Sequence, residues 1–133
     1  YQARIDAAGI GDSVKIEFRI PHDELPARMQ SSDILVLPSV KEGFGLVAAE
    51  ALACGIPVVA TRSGGPESIV KDGQGFLVSP CDHEALGGGI LRALGGDGLL
   101  NSAALADSVR ARFSIEAVCE RIAGVYDRVL KNA

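Results

Sequence analysis

Residues Pro38 to Thr61 read PSVKEGFGLVAAEALACGIPVVAT, a passage from strand end through helix to a second strand. Just before it, Ile34, Leu35, Val36 and Leu37 form a short continuous apolar run that stops at Pro38, as a strand covered on both faces of a parallel sheet would. Leu46 to Cys54 has helical periodicity, and Pro57 to Ala60 is a second apolar run. Gly43 and Gly45 therefore fall where a strand hands over to a helix. Free backbone N–H groups and the positive end of the helix dipole at such a point favour an anion such as a diphosphate. Glycine lets the backbone approach that anion closely. Glu42 and Glu50 bracket the turn, with Glu50 about one turn into the helix. Carboxylates repel phosphate, so their partners are hydroxyl groups. Hydroxyls at two places with an anion between them describe a nucleotide sugar: ribose, diphosphate and hexose.

Outward from this stretch, strands and helices alternate. Tyr1 to Gly9 reads as the tail of a helix with Gly9 as its stop, and Val14 to Phe18 as a strand. Asp23 to Ser32 reads as a short helix with Pro26 in its first turn. Gly75 to Val78 is a fourth strand after the turn at Asp72 and Gly73. Beyond Pro80 the strands stop. Asp82 to Leu94, Leu99 to Phe113 and Ser114 to Lys131 read as helices, the last with an N-cap at Ser114. The alternation predicts an α/β fold, a Rossmann-like doubly wound parallel sheet that ends in helices. Ligands of such sheets bind outside the carboxyl ends of the strands, at the point where strand order reverses. The loops Arg19 to His22, Pro38 to Phe44 and Thr61 to Pro66 should converge there.

A chain of 133 residues, 47% hydrophobic and 23% charged, has room for one domain with a core. No apolar run reaches the roughly 20 residues that span a bilayer. A net charge of −4 gives no footprint for nucleic acid. Cys54, Cys81 and Cys119 are an odd count without close spacing, which points to reduced thiols and a cytoplasmic setting. His22 and His83 stand far apart with no ligand pattern around them, so no metal is expected. The chain begins at Tyr1 and not at Met, which leads to the expectation that residues 1–133 are one partial domain of a longer protein.

The spacing of Glu42 and Glu50 around GFGL, then EALACGIPVVAT, then Gly64 and Gly65 and finally Glu67, resembles the retaining glycosyltransferases of the two-domain GT-B fold. More closely it resembles family 4 of these enzymes, the glycosyl transferase group 1 family, over about Val14 to Tyr126. The resemblance implies the C-terminal, nucleotide-sugar-binding domain, with an activity that moves a sugar from a nucleotide-diphosphate donor to an acceptor and retains its anomeric configuration. It implies that Glu50 accepts hydrogen bonds from the ribose hydroxyls. It gives Glu42 the catalytic place, beside hydroxyls of the transferred sugar. The backbone of Gly43, Phe44, Gly45 and Leu46 would face the diphosphate and sugar, Gly64 and Gly65 would shape the loop beside the sugar, and Ile20 would meet the base. Each has a structural alternative: a solvated helix residue for Glu50, a helix-dipole partner for Glu42, a packing residue for Phe44, an ordinary turn for the glycine pair and a helix start for Glu67.

The chain departs from the family pattern in two places. Phe18 stands where the family usually has glycine, which leaves the base open. The family's first strand and glycine loop, whose Arg and Lys clamp the diphosphate, have no counterpart here, and neither has the N-terminal domain that takes an acceptor glycan, lipid or small molecule. The resemblance therefore implies a fragment inactive by itself and prone to self-association, from a parent that is cytoplasmic or peripheral at a membrane, with no cofactor. A non-catalytic nucleotide-binding domain of the same fold, or a GT-B epimerase or phosphorylase, stays open as an alternative.

Overall fold

The computed structural model describes residues 1–131. Within them a parallel sheet of three strands holds β1 (Leu35–Leu37), β2 (Val58–Thr61) and β3 (Gly75–Val78) side by side in chain order. Leu35 lies opposite Val58, and Val58 opposite Gly75. The helices are α1 (Gln2–Ala7), α2 (Leu25–Gln30), α3 (Leu46–Ala53), α4 (Pro66–Ile69), α5 (His83–Leu94), α6 (Ser102–Phe113) and α7 (Ile115–Lys131).

Alternation along β2 divides the molecule into layers. Val58 and Ala60 enter one cluster with Ala48, Ala51 and Leu52 of α3, Ile69 of α4, and Leu105 and Val109 of α6. Val59 points to the opposite face, where Gly89 of α5 faces Val59 and Val78. Helices thus cover both faces of β2, which explains why all four of its residues are buried apolar or hydroxyl side chains. Leu52, Ile69 and Leu105 are fully buried, and each such side chain contributes roughly 1.5–3 kcal/mol relative to exposure.

Local signals fix the ends of the elements. Asp82 accepts a hydrogen bond from the Ala85 amide, Asn101 from Ala104 and Ser114 from Ala117, so α5, α6 and α7 each start on a side-chain cap. Pro26 sits in the first turn of α2, where its missing N–H costs nothing. Ala8 and Gly9 close α1.

Three expectations need correction. Val14 to Phe18 forms no strand: its backbone pairs with none of β1 to β3, and Arg19, at φ 56°, breaks the extended run. Phe18 is left 84% exposed. Within the segment, Glu17 pairs with both Lys15 and Arg28 of α2, the latter at 3.0 Å. The Lys15 hydrogen bond, with Arg28 adding to it, keeps the Glu17 carboxyl below its usual range. Secondly, strand order does not reverse among the described strands, so the loops converge beside a run of neighbouring strands. Thirdly, α6 begins at Ser102 and not at Leu99, because Asn101 provides the cap.

Candidate functional site

The loop after β1 and the loop after β2 are joined through their backbones. The Glu42 amide donates to the Ser63 carbonyl and the Gly65 amide to the Glu42 carbonyl, both at 2.9 Å, so Glu42 and Gly64 form a parallel bridge beyond the strand ends. Thr61, 3% exposed at the end of β2, donates its hydroxyl hydrogen to the Ser39 carbonyl and closes the same junction from below. Gly65 is buried against Phe44: a Cβ there would stand 2.3 Å from the Phe44 carbonyl carbon and oxygen. The glycine pair is thus the place where two loops touch backbone to backbone. Glu67, in the first turn of α4, reaches back to the Gly64 amide at 3.1 and 3.2 Å and fixes this loop, so its reading as a helix-start residue stands.

On this platform the Glu42 carboxylate is half-buried and accepts a hydrogen bond from Ser39 Oγ at 3.4 Å. Gly43 is exposed and Gly45 is buried. Gly45 is the N-cap of α3 with φ 86°, a left-handed conformation that favours glycine. No side chain caps α3, and while the Ala48 and Ala49 amides donate to the Gly45 carbonyl, those of Leu46 and Val47 remain available at the positive end of the helix. Leu46 opens the helix with 64% exposure. The Phe44 ring meets Phe113 edge to face at 6.1 Å between centroids, so it packs α6 against the loop.

Glu50, one turn further along α3, stands between two cavities. One, about 300 Å³, lies between α3 and α6 and is lined by Leu46, Glu50, Val109, Arg110 and Phe113 among others. The other, about 200 Å³, lies between α2 and α3 against Leu25, Met29, Glu50 and Cys54. His22, from the loop before α2, reaches the second cavity and brings Nε2 to 3.7 Å from Glu50 Oε1. Burial pushes the Cys54 thiol up, and the Glu50 carboxylate adds to the effect. The third loop thus arrives at Glu50 through His22. Ile20, half-buried in that loop, lines a hollow with Phe18, Arg19 and Glu24 and is not among the residues that line either of the two cavities at Glu50.

Sequence reasoning missed the parts played by Thr61, Ser39 and His22. Thr61 and Ser39 are 22 positions apart and meet only because β2 lies beside β1. Nothing in spacing links His22 to Glu50. Among the described residues, no group of three His, Cys, Asp or Glu side chains is placed to hold a metal ion, and no helix is long and apolar enough to cross a membrane.

A parallel Rossmann-like sheet with helices on both faces, and a glycine-turn helix start at the strand ends, define an α/β domain of the GT-B kind. The model of the family described as glycosyl transferases group 1 matches residues 1–107, and the chain belongs to that family. A D-inositol 3-phosphate glycosyltransferase of Thermobispora bispora is 38% identical over 127 residues, which are 93% of this chain and 29% of that protein. Another of the same name from an Arthrobacter species is 49% identical over 75 residues, 56% of this chain and 18% of the relative. Sucrose-phosphate synthase from Thermosynechococcus elongatus superposes with a TM-score of 0.81 at 30% identity, over 99% of this chain and 34% of that one. Anabaena HepE, solved in complex with UDP and glucose, gives 0.77 at 29% identity over 96% of this chain and 35% of its own. The chain therefore spans less than a third of the curated relatives cited here.

Proposed function

We propose that this chain is the donor-binding C-terminal domain of a longer family 4 glycosyltransferase, which moves a sugar from a nucleotide-diphosphate donor to an acceptor with retention of anomeric configuration. The observation that carries the reading is the junction itself. Two carboxylates flank an uncapped helix start, and the loops after β1 and β2 are locked together by the bridge between Glu42 and Gly64. Family membership supports it, and so does the likeness to HepE, which binds UDP and glucose.

In this reading Glu50 accepts the ribose hydroxyls, and the free amides at the start of α3 face the diphosphate. Glu42 holds the transferred sugar and stabilises positive charge that develops at its anomeric carbon. Ile20 meets the base, and Gly64 and Gly65 shape the wall beside the sugar. Retention without a protein nucleophile follows when the acceptor attacks the face that the leaving phosphate vacates, and the phosphate oxygen takes the acceptor's proton. The protein then contributes positioning and charge stabilisation. The acceptor, a glycan, lipid or small molecule, is held by the rest of the protein. Proton NMR of the product formed by the full-length protein tests the reading: an α-linked donor should give an α-linked product, and a β-linked product would contradict retention.

A further inference from the structure

We infer that Thr61 is a positioning residue for the transfer: its buried hydroxyl holds the Ser39 carbonyl, and the Ser39 hydroxyl in turn holds the Glu42 carboxylate in place for the sugar. The inference rests on the donor-site reading above. Thr61 ends β2 with 3% exposure, after three apolar residues of the same strand. A hydroxyl buried at such a place needs a partner. This one reaches across to the neighbouring segment: it donates to Ser39 and lies 3.4 Å from the Leu37 carbonyl at the end of β1. Ser39 Oγ then donates to the Glu42 carboxylate at 3.4 Å, and among the described residues it is the hydrogen-bond partner which that carboxylate has.

The rest of the loop leaves these two links to decide where the carboxylate stands. The backbone of Glu42 is already fixed, its amide on the Ser63 carbonyl and its carbonyl under the Gly65 amide, both at 2.9 Å. What remains free is the side chain, and a glutamate with open rotamers is ordered at an entropic cost when it meets the sugar. Ser39 removes part of that freedom. Ser39 itself lies past the end of the ladder between β1 and β2, and Thr61 is what ties it back to β2. A cavity of about 170 Å³ bordered by Pro38, Val40 and Thr61 gives the loop room to shift once that bond is lost. A misplacement of about 1 Å can cost a reaction about a hundredfold. The pinned backbone of Glu42 limits the movement, so loss of the Thr61 hydroxyl should cost about tenfold, and loss of the longer bond from Ser39 about three- to tenfold.

The test compares full-length protein, unaltered and as Thr61→Val, Thr61→Ser, Ser39→Ala and Glu42→Ala, at a temperature where thermal melts show each of them folded. Valine keeps the shape of threonine without its hydroxyl, and serine keeps the hydroxyl. Turnover is read as release of nucleoside diphosphate from uridine, adenosine and guanosine diphosphate glucose with water as acceptor, and affinity by calorimetric titration with the matching nucleoside diphosphate. Thr61→Val should lower kcat about tenfold and leave nucleotide affinity within about twofold, Thr61→Ser should restore most of the loss, and Ser39→Ala should lose about three- to tenfold. Added to Glu42→Ala, neither Thr61→Val nor Ser39→Ala should cost more than about twofold further, because the group they position is gone. Full losses in that background would show that they act on something other than Glu42 and would overturn the role, as would losses confined to affinity or stability. Should Thr61→Val not fold, Ser39→Ala, which leaves the Thr61 bond in place, carries the same comparison. A loss of about a hundredfold in Glu42→Ala, with kcat unchanged in Thr61→Val and Ser39→Ala, would sink this inference alone. Unchanged turnover in Glu42→Ala, or no release from any donor, would sink the donor-site reading with it.

Discussion

Glu42 and Glu50 look alike in the sequence, yet they occupy different chemical places. Glu42 belongs to a loop pinned by backbone bonds to the loop after β2, whereas Glu50 rides on a helix between two cavities. Removing Glu42 should act on the reacting sugar: Glu42→Ala is expected to lower turnover by about a hundredfold, the scale of losing one group that stabilises transition-state charge, with little change in nucleotide affinity. A change confined to affinity, measured by steady-state kinetics against titration, would reverse the two roles. Cys54 offers an independent probe of the Glu50 charge. Cys81 and Cys119 are exposed, so a thiol reagent at pH 7.5 should label them well before Cys54. Glu50→Ala should speed Cys54, because one of the two causes that hold its proton is gone. The folded Cys54 thiol also keeps its proton to higher pH than an unfolded one, so its contribution to stability is present in neutral solution and fades as pH climbs through its raised range. The carboxylate pair was legible in the sequence because both members sit across one strand–helix junction. Thr61 was not, since the pairing of β2 beside β1 brings it to the junction, and neither was His22, which meets Glu50 where α2 lies against α3.

At the scale of elements, the contact of Gly65 with Phe44 carries the most weight for function. Gly65→Ala forces a methyl group against backbone, which cannot swing aside as a side chain can. Denaturant unfolding should show a loss of about 1–3 kcal/mol, the scale of overpacking, together with weakened donor binding. Full binding and unchanged stability would mean that the two loops need not touch. By contrast, Leu52→Ala empties the centre of the α3 face and should cost about 2–5 kcal/mol without moving the site. The apolar runs of β1 to β3 and the periodicity of α3 and α5 were legible because each encodes burial in its own residues. Val14 to Phe18 shows the opposite case. Its alternation of Val14, Ile16 and Phe18 suits a strand, but a strand also requires a neighbour to bond with, and no local pattern supplies one.

For the whole molecule, the unpaired edge of the sheet has physical consequences. β1 has a partner on one side only among the described strands, and an unpaired edge invites association with another chain. Ile122, Val125 and Val129 recur at helical spacing along α7 and are 51%, 49% and 61% exposed. The 133-residue chain by itself should therefore self-associate in sedimentation as concentration rises; a monomer throughout would contradict this. If the proposed reading holds, it should also transfer no sugar, since that reading puts the acceptor side and the basic diphosphate clamp elsewhere in a longer protein. Full-length protein treated with a chelator should keep its transfer activity, because amides and basic side chains serve the leaving diphosphate in this account; loss of activity restored by a divalent cation would refute that.

The donor site itself is tested most directly by titrating the full-length protein with nucleoside diphosphate in a calorimeter, unaltered and as Glu50→Ala. A hydrogen bond to a charged group is worth roughly 1.5–3 kcal/mol, so the variant should bind about ten- to a hundredfold more weakly. Equal affinity in the two proteins would show that Glu50 does not hold the ribose, and that the donor lies elsewhere.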